Sequence, residues 1–229
     1  MQRLTGAAEL LDGPLDDQPA LVANLRDLAR INRLTGGTRL SARAIAALGG
    51  AKTILDVGTG GADIPLTLLA RARRDGRPLT IRATDSRREV LAAARLARPA
   101  IDRTAGLELA IADGRALPDA DRAVDIAHAS LVLHHLEPDE VVAFLRELRR
   151  VARRGIVVND LVRGRLAWLG GWLLVHAFAR SRFTRHDGPL SVRRAYSRTE
   201  LLALLAVAGL TPVAVIEGVA GHRVAIAAR

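Results

Sequence analysis

Acidic and imidazole side chains recur at the ends of short apolar runs, where a fold could gather them. Asp56 precedes and Asp63 follows a glycine turn, Gly58-Thr59-Gly60-Gly61. Asp85-Ser86 and Asp113-Gly114 close the next runs, and His134-His135 and Asn159-Asp160 follow two later ones. The glycines permit positive φ and close approach of a ligand to the backbone, and a helix N-terminus behind them favours electronegative ligand groups. Asp63 stands where a dinucleotide fingerprint ends in Gly or Ala, and a carboxylate there repels a pyrophosphate. No Gly-Lys-Ser/Thr ending makes a triphosphate loop. With Asp56, Asp63 instead selects a ligand that carries a cationic group. An acid ending a second strand can accept both hydroxyls of a ribose, which suits Asp85 unless it or Ser86 caps the next helix. Asp113 can accept from an adenine amino group or simply turn the chain. His134 with Asp160 can act as a base whose carboxylate sets its tautomer and stabilises the imidazolium. The bland alternatives are a histidine that packs on the ligand and an aspartate that caps a helix, leaving Asn159 to bind substrate.

These residues need elements to hold them. Apolar residues at Leu21, Leu25, Leu28 and Ile31 mark a helix over 20–31, and 40–48 repeats the pattern. Then short runs alternate with amphipathic ones. Strands are expected at 53–57, 79–84, 107–112, 123–129 and 155–159, and helices at 63–74, 87–98 and 139–152. That alternation indicates a parallel sheet covered on both faces. A helix over 199–208, capped by Ser197 or Thr199, precedes strands 211–217 and 222–228, whose short connection makes them antiparallel. The whole is expected to form one α/β, doubly wound domain. It divides into an N-terminal helical cap (1–50), a ligand-binding core (51–160), an insertion (161–198), and a C-terminal helix and hairpin (199–229).

Composition excludes other classes. The chain of 229 residues has no cysteine, hence no disulfide, thiolate metal site or cysteine nucleophile. No run reaches the length of a membrane span and no leader pattern opens the chain, so a cytoplasmic protein is expected. The formal net charge is +10, carried almost wholly by arginine. The arginines are spread along every segment and aromatic residues are only 3%, which argues against a nucleic-acid partner. No His/Asp/Glu group has ligand spacing, so no metal is expected; His134 and Asp160 would lack a third ligand.

Together the carboxylates and their strands resemble the class I S-adenosylmethionine-dependent methyltransferases, of the ubiquinone/menaquinone-methyltransferase-like group. Asp56-x-Gly58-x-Gly60 matches the first motif, with Ala62 where a third glycine often stands and Gly61 keeping the turn permissive. Asp85 matches the ribose acid and Asp113 the adenine-side acid. Val124-Asp125-Ile126-Ala127-His128-Ala129-Ser130, through Leu133-His134-His135-Leu136, matches the fourth-strand motif. The resemblance implies a seven-stranded sheet with its last strand antiparallel and S-adenosyl-L-methionine as cofactor. It implies a cofactor site at Asp56, Gly58, Thr59, Gly60, Asp63, Asp85, Ser86, Asp113, Gly114, Ser130 and His135.

The insertion is expected to set specificity. Its apolar run 166–179 holds both tryptophans, Trp168 and Trp172, and is flanked by Arg163, Arg165, Arg180 and Arg182. It suits a lid over a hydrophobic pocket, or a helix making peripheral membrane contact. The polar stretch 184–197 reads as a substrate-covering loop. Asn159, Arg163, Trp168, Trp172, His176, His186, Arg193 and Tyr196 are the candidate substrate-binding residues. The acceptor expected is a small hydrophobic or aromatic molecule (polyketide, phenol or quinone precursor), with O-methylation favoured over C-methylation. The competing readings are a nucleic-acid methyltransferase and a non-catalytic protein that kept the fold.

Overall fold

Seven strands form one sheet in the order β3-β2-β1-β4-β5-β7-β6. The computed structural model describes residues 1–229. β1 (Thr53–Val57), β2 (Thr80–Asp85), β3 (Leu107–Ile111), β4 (Val124–Ser130) and β5 (Ala152–Leu161) pair in parallel. β7 (Arg223–Ala228) runs antiparallel to both β5 and β6 (Pro212–Glu217). The parallel strands require crossovers, supplied by α3 (Asp63–Arg74), α4 (Arg88–Ala97) and α5 (Pro138–Val151). The order reverses beside β1, so the ends of β1 and β4 open a crevice, the usual ligand position in such a sheet.

One face of the sheet packs on α5 and α8 (Arg198–Val207) through Val141, Phe144, Leu148, Leu201 and Leu205. The other buries Leu68, Leu69, Ile81 and Val157 against Leu40, Ile45 and Leu48 from α2 (Gly37–Ala47) and its end. α1 (Gln18–Leu34) lays Leu21 and Leu25 over the glycine turn and α4. Ser197 caps α8 and shares a capping box with Glu200, satisfying N–H groups that the first helical turn leaves open.

Three expectations change. The stretch 184–197 is not a loop: Arg182–Arg194 forms a helix, α7, with Pro189 inside it. Phe183, Thr184, Asp187, Ser191 and Val192 recur at helical spacing and are buried, so tertiary packing overrides the Gly188-Pro189 break signal. β5 runs on past Asn159, because Asp160 pairs with Val224 and Leu161 with Arg223. Asp160 therefore sits inside the strand instead of after it. Gly61 is not the permissive position either. Gly58 (φ 72°), Gly60 (φ 54°) and Ala62 (φ 53°) take the left-handed region, which costs a residue with Cβ about 1 kcal/mol. A Cβ on Gly58 would lie 2.5 Å from Val132 Cγ2, so that glycine is required on steric grounds as well.

Candidate active site

Two cavities meet at the ends of β1 and β4. The first, about 620 Å³, is lined by the glycine turn and by α1. Every residue expected to hold the cofactor lines it: Asp56, Gly58, Thr59, Gly60, Asp63, Asp85, Ser86, Asp113, Gly114, Ser130 and His135. Asp85 takes N–H groups from Gly60 and Arg87, each at 3.1 Å, one per oxygen. Neither Asp85 nor Ser86 caps α4, whose N-cap is Arg87. Burial raises Asp85 above the usual carboxylate range, against those two N–H bonds. Asp113 is exposed and bound by Arg115, which holds it low. Asp56 is buried against His128 Nδ1 at 2.5 Å.

Asp63 belongs to a buried polar chain that the sequence reading missed. Asn32 Nδ2 donates to Asp63 at 3.1 Å, and Arg223 donates to Asn32 Oδ1 at 2.6 Å, to Asn159 Oδ1 at 2.7 Å and to Ser130 Oγ at 2.7 Å. Asn159 Nδ2 donates to Ser41 Oγ at 2.8 Å, and Ser41 pairs with His128 Nε2 at 2.8 Å. Both carboxylates of the glycine turn are thus tied to α1, α2, β4, β5 and β7. Gly37 lies so close to Arg223 that a Cβ would stand 2.5 Å from its guanidinium. A sequence signal existed: Asn24 and Asn32 interrupt the apolar face of α1.

The second cavity, about 370 Å³, is mainly apolar and is walled by α6 (Arg165–Phe178) and α7. It shares Leu11, Asn24, Leu28, Leu131 and His135 with the first. His134 lines it, with Nδ1 2.6 Å from Asp160 Oδ1, while Asp160 Oδ2 takes the Leu133 N–H at 2.7 Å. Burial would raise Asp160, but the charge and hydrogen bond of His134, with the Leu161 N–H and Arg223, hold it below its ordinary value. His134 Nε2 is left facing the cavity, 4.0 Å from Glu9 Oε1.

Glu9 is the functional candidate that sequence reasoning missed, being remote from every motif. α7 places it. Asp187 accepts from the N–H groups of Leu10 and Leu11, Ser191 Oγ donates to Glu9 at 3.0 Å, and Arg194 binds Asp12 at 2.6 Å. Burial pushes the Glu9 carboxyl up to about 7, against the pull of His135, Ser191 and Arg194 and with Asp187 adding to the rise. A carboxyl raised in the native state binds protons there that the unfolded chain releases. Its contribution to stability is therefore full below pH 4.5 and is lost as pH rises through 7. Glu9→Gln should flatten this fall, on the order of 3 kcal/mol. Urea unfolding at pH 5 and pH 8 checks it; equal pH dependence in both proteins would contradict the assignment.

The expected substrate residues lie elsewhere. None of Asn159, Arg163, Trp168, Trp172, His176, His186, Arg193 and Tyr196 lines either cavity. Asn159 is a node of the buried chain, and Arg163 clamps Glu200 and the Ala195 carbonyl. Tyr196 donates to the Leu136 carbonyl at 2.7 Å and is pushed up to about 12 by burial. Trp172 stacks on His176 on the outer side of α6, Trp168 is half-buried on the same helix, and His186 and Arg193 are exposed. The wall comes instead from Ala167, Gly170, Gly171, Leu174, Val175 and Val192. The arginines are not evenly spread. Arg26, Arg30, Arg33, Arg39, Arg71, Arg98 and Arg180 converge on a separate cleft of about 800 Å³. It shares Asn32 and Asp63 with the first cavity and no residue with the second.

The first cavity fits S-adenosylmethionine. Its walls carry buried carboxylates for a cationic ligand, and two buried polar atoms in them, Asn24 Oδ1 and Thr59 Oγ1, have no hydrogen-bond partner. Such atoms are costly unless a ligand satisfies them.

Comparison with known proteins agrees. Residues 54–155 match the family model of a methyltransferase domain. No curated protein sequence matches significantly. A SAM-dependent methyltransferase from Aquifex aeolicus superposes with a TM-score of 0.62 at 21% identity, over 90% of this chain and 97% of that one. Human N-acetylserotonin methyltransferase in complex with SAM gives 0.68 at 14%, over 96% of this chain. Mitomycin 7-O-methyltransferase gives 0.65 at 20%, over 93%. The chain spans 60% and 58% of those last two proteins. Residues 54–155 thus match a methyltransferase domain, and the chain as a whole has the fold of the class I S-adenosylmethionine-dependent methyltransferases.

Proposed function

We propose that the protein transfers a methyl group from S-adenosylmethionine to a hydroxyl of a small apolar or aromatic acceptor. The observation that carries this reading is His134, paired with Asp160, in the wall of an apolar cavity that adjoins the cofactor cavity. Bound S-adenosylmethionine supplies an electrophilic methyl on a sulfonium. The remaining work is done by this chain. Leu174, Val175 and Val192 exclude water and hold the acceptor ring, and positioning for in-line displacement supplies much of the acceleration. His134 takes the hydroxyl proton as the new O–C bond forms, and Asp160 stabilises the resulting imidazolium. Two neighbours of this fold are O-methyltransferases linked to aromatic molecules by name: mitomycin 7-O-methyltransferase, and a family 2 O-methyltransferase from Planctomyces limnophilus in complex with apigenin. A nucleic-acid acceptor is the competing reading: the arginine cleft adjoins the cofactor cavity through Asn32 and Asp63, but it shares no wall with the His134 cavity.

Calorimetric titration with S-adenosylmethionine and S-adenosylhomocysteine tests the donor half. Asp85→Ala should weaken both by roughly a hundredfold, the value of two charge-assisted hydrogen bonds. Unchanged affinity would remove Asp85 from the site. A panel of phenols and aromatic polyketides, read by mass gain of one methyl, tests the acceptor half.

A second reading has one observation in its favour. Glu9, His134 and His135 bring three ligand atoms within 4.8 Å of one another, and each imidazole Nδ1 is already held by a carboxylate, Asp160 or Asp12. Such outer carboxylates orient metal-ligating histidines, so a divalent transition metal would fit and would activate the hydroxyl in place of the base. Loss of turnover in chelator, restored by added metal, would favour it; turnover insensitive to chelator favours His134 as base.

A further inference from the structure

α6 is apolar on both sides, yet only one side has a protein partner. Its inner residues Ala167, Gly170, Gly171, Leu174 and Val175 line the apolar cavity. On its outer side Leu166 (83% exposed), Leu169, Trp172 and Leu173 face solvent. A helix that is hydrophobic all round is ordinarily buried, and a contiguous exposed apolar face marks an interaction surface.

Chain neighbours of the cavity lining repeat the pattern from other elements. Leu34 is exposed next to the lining residue Thr35, and Val219 (82% exposed) sits next to the lining residue Ala220. Leu166 itself belongs to the lining. Exposed apolar residues of α1 and of the β6–β7 turn thus adjoin the lining along the chain, and Leu166 of α6 is both exposed and part of it.

Charge identifies the occupant. From Leu161 to His186 the chain has no acidic residue and carries Arg163, Arg165, Arg180, Arg182 and Arg185. Arg165 and Arg185 are exposed at the start of α6 and in the first turn of α7, with Arg182 beside them in an ion pair with Asp17 and Arg180 at the far end of α6 lining the arginine cleft. A second copy of the chain docked face to face would bring these arginines against their own kind. An anionic lipid surface would neutralise the unpaired ones. No helix is long and apolar enough to cross a membrane. A short helix with exposed tryptophan and leucine and flanking arginines lies in the interfacial plane instead.

We propose that the outer face of α6 seats the protein on an anionic membrane, and that the apolar cavity behind it draws its acceptor from that membrane. This rests on the methyltransferase reading and narrows its substrate class to a phenol-like head on a long apolar tail. The head reaches His134, and the tail leaves along α6 past Leu166, which is exposed and part of the lining.

The test uses the full chain with vesicles of phosphatidylcholine alone and vesicles that also contain phosphatidylglycerol. The native protein should float with the anionic vesicles, and its tryptophan emission should shift to the blue as Trp172 leaves water. The double substitution Leu169→Asp with Leu173→Asp, on the outer face and outside the cavity lining, should lower partitioning by at least about tenfold. It should bind S-adenosylhomocysteine as the native protein does. It should also raise KM for a vesicle-borne long-chain alkylphenol and leave KM for a short soluble phenol unchanged. No flotation of native protein that binds S-adenosylhomocysteine would overturn the proposal, as would partitioning indifferent to the two aspartates. A lipid-free dimer dissolved by the same substitutions would assign the face to a second copy and overturn it too. Cofactor binding and turnover of the soluble phenol are read separately, so failure at the membrane is distinguishable from failure of the methyltransferase reading.

Discussion

His134→Ala lowers kcat for a phenolic acceptor by about 10²–10⁴-fold, the usual worth of a positioned general base. S-adenosylhomocysteine affinity stays near that of the native protein, because His134 lines the apolar cavity and not the cofactor cavity. The imidazole is held rigidly, with Nδ1 on Asp160 and both aspartate oxygens engaged by β4–α5 and β5 backbone or ring groups. Asp160→Asn should cost a comparable factor, since an amide holds the wrong tautomer. The loss separates a base from a packing residue by its dependence on the acceptor. It shrinks steeply as the acceptor hydroxyl becomes more acidic, because a phenolate needs no base. A loss equal for acidic and weakly acidic phenols would mean that His134 only shapes the pocket.

Arg223→Met destabilises the fold by about 3–5 kcal/mol, the cost of breaking a buried charged group out of its network. Arg223 is almost fully buried, and burial lowers it to about 10 although Asp160 and Asp63 pull it up. Its removal leaves Asn32, Asn159 and Ser130 without their donor, and the two nearby carboxylates lose the cation that faces them. A lowering of Tm by roughly 10 °C follows for a chain of this size. Asn32 also holds Asp63, and Ser130 lines the cofactor cavity, so S-adenosylmethionine affinity should fall with stability. Arg223→Lys, which keeps the charge but not the guanidinium fork, should fall between the two. A methionine variant as stable as the native protein would show that the chain of polar groups contributes nothing net.

Local pattern determined much of this molecule. β1 and α3 begin and end where apolar periodicity and the glycine turn place them, because strand and helix periods are properties of short segments. The carboxylates at the ends of β1, β2 and β3 were legible for the same reason: in a parallel sheet, successive strand ends face one crevice. The histidine–aspartate pair was legible because neighbouring parallel strands bring β4 and β5 ends together. What stayed hidden was non-local. α7 looks like a loop because Gly188 and Pro189 speak against a helix, and its packing on α6, α1 and the N-terminal segment offsets that conflict. Glu9 has no motif around it; it reaches His134 because Asp187, Ser191 and Arg194 of α7 hold residues 9–12 across the site. The tryptophans of α6 read as pocket residues because composition marks an apolar run but not which side of it meets the core. Sequence by itself thus determined the sheet, the place of the glycine turn and the carboxylates at the strand ends. The tertiary structure alone decided the wall of the apolar cavity, the buried Arg223 chain and the exposed face of α6, since each depends on contacts between segments far apart along the chain.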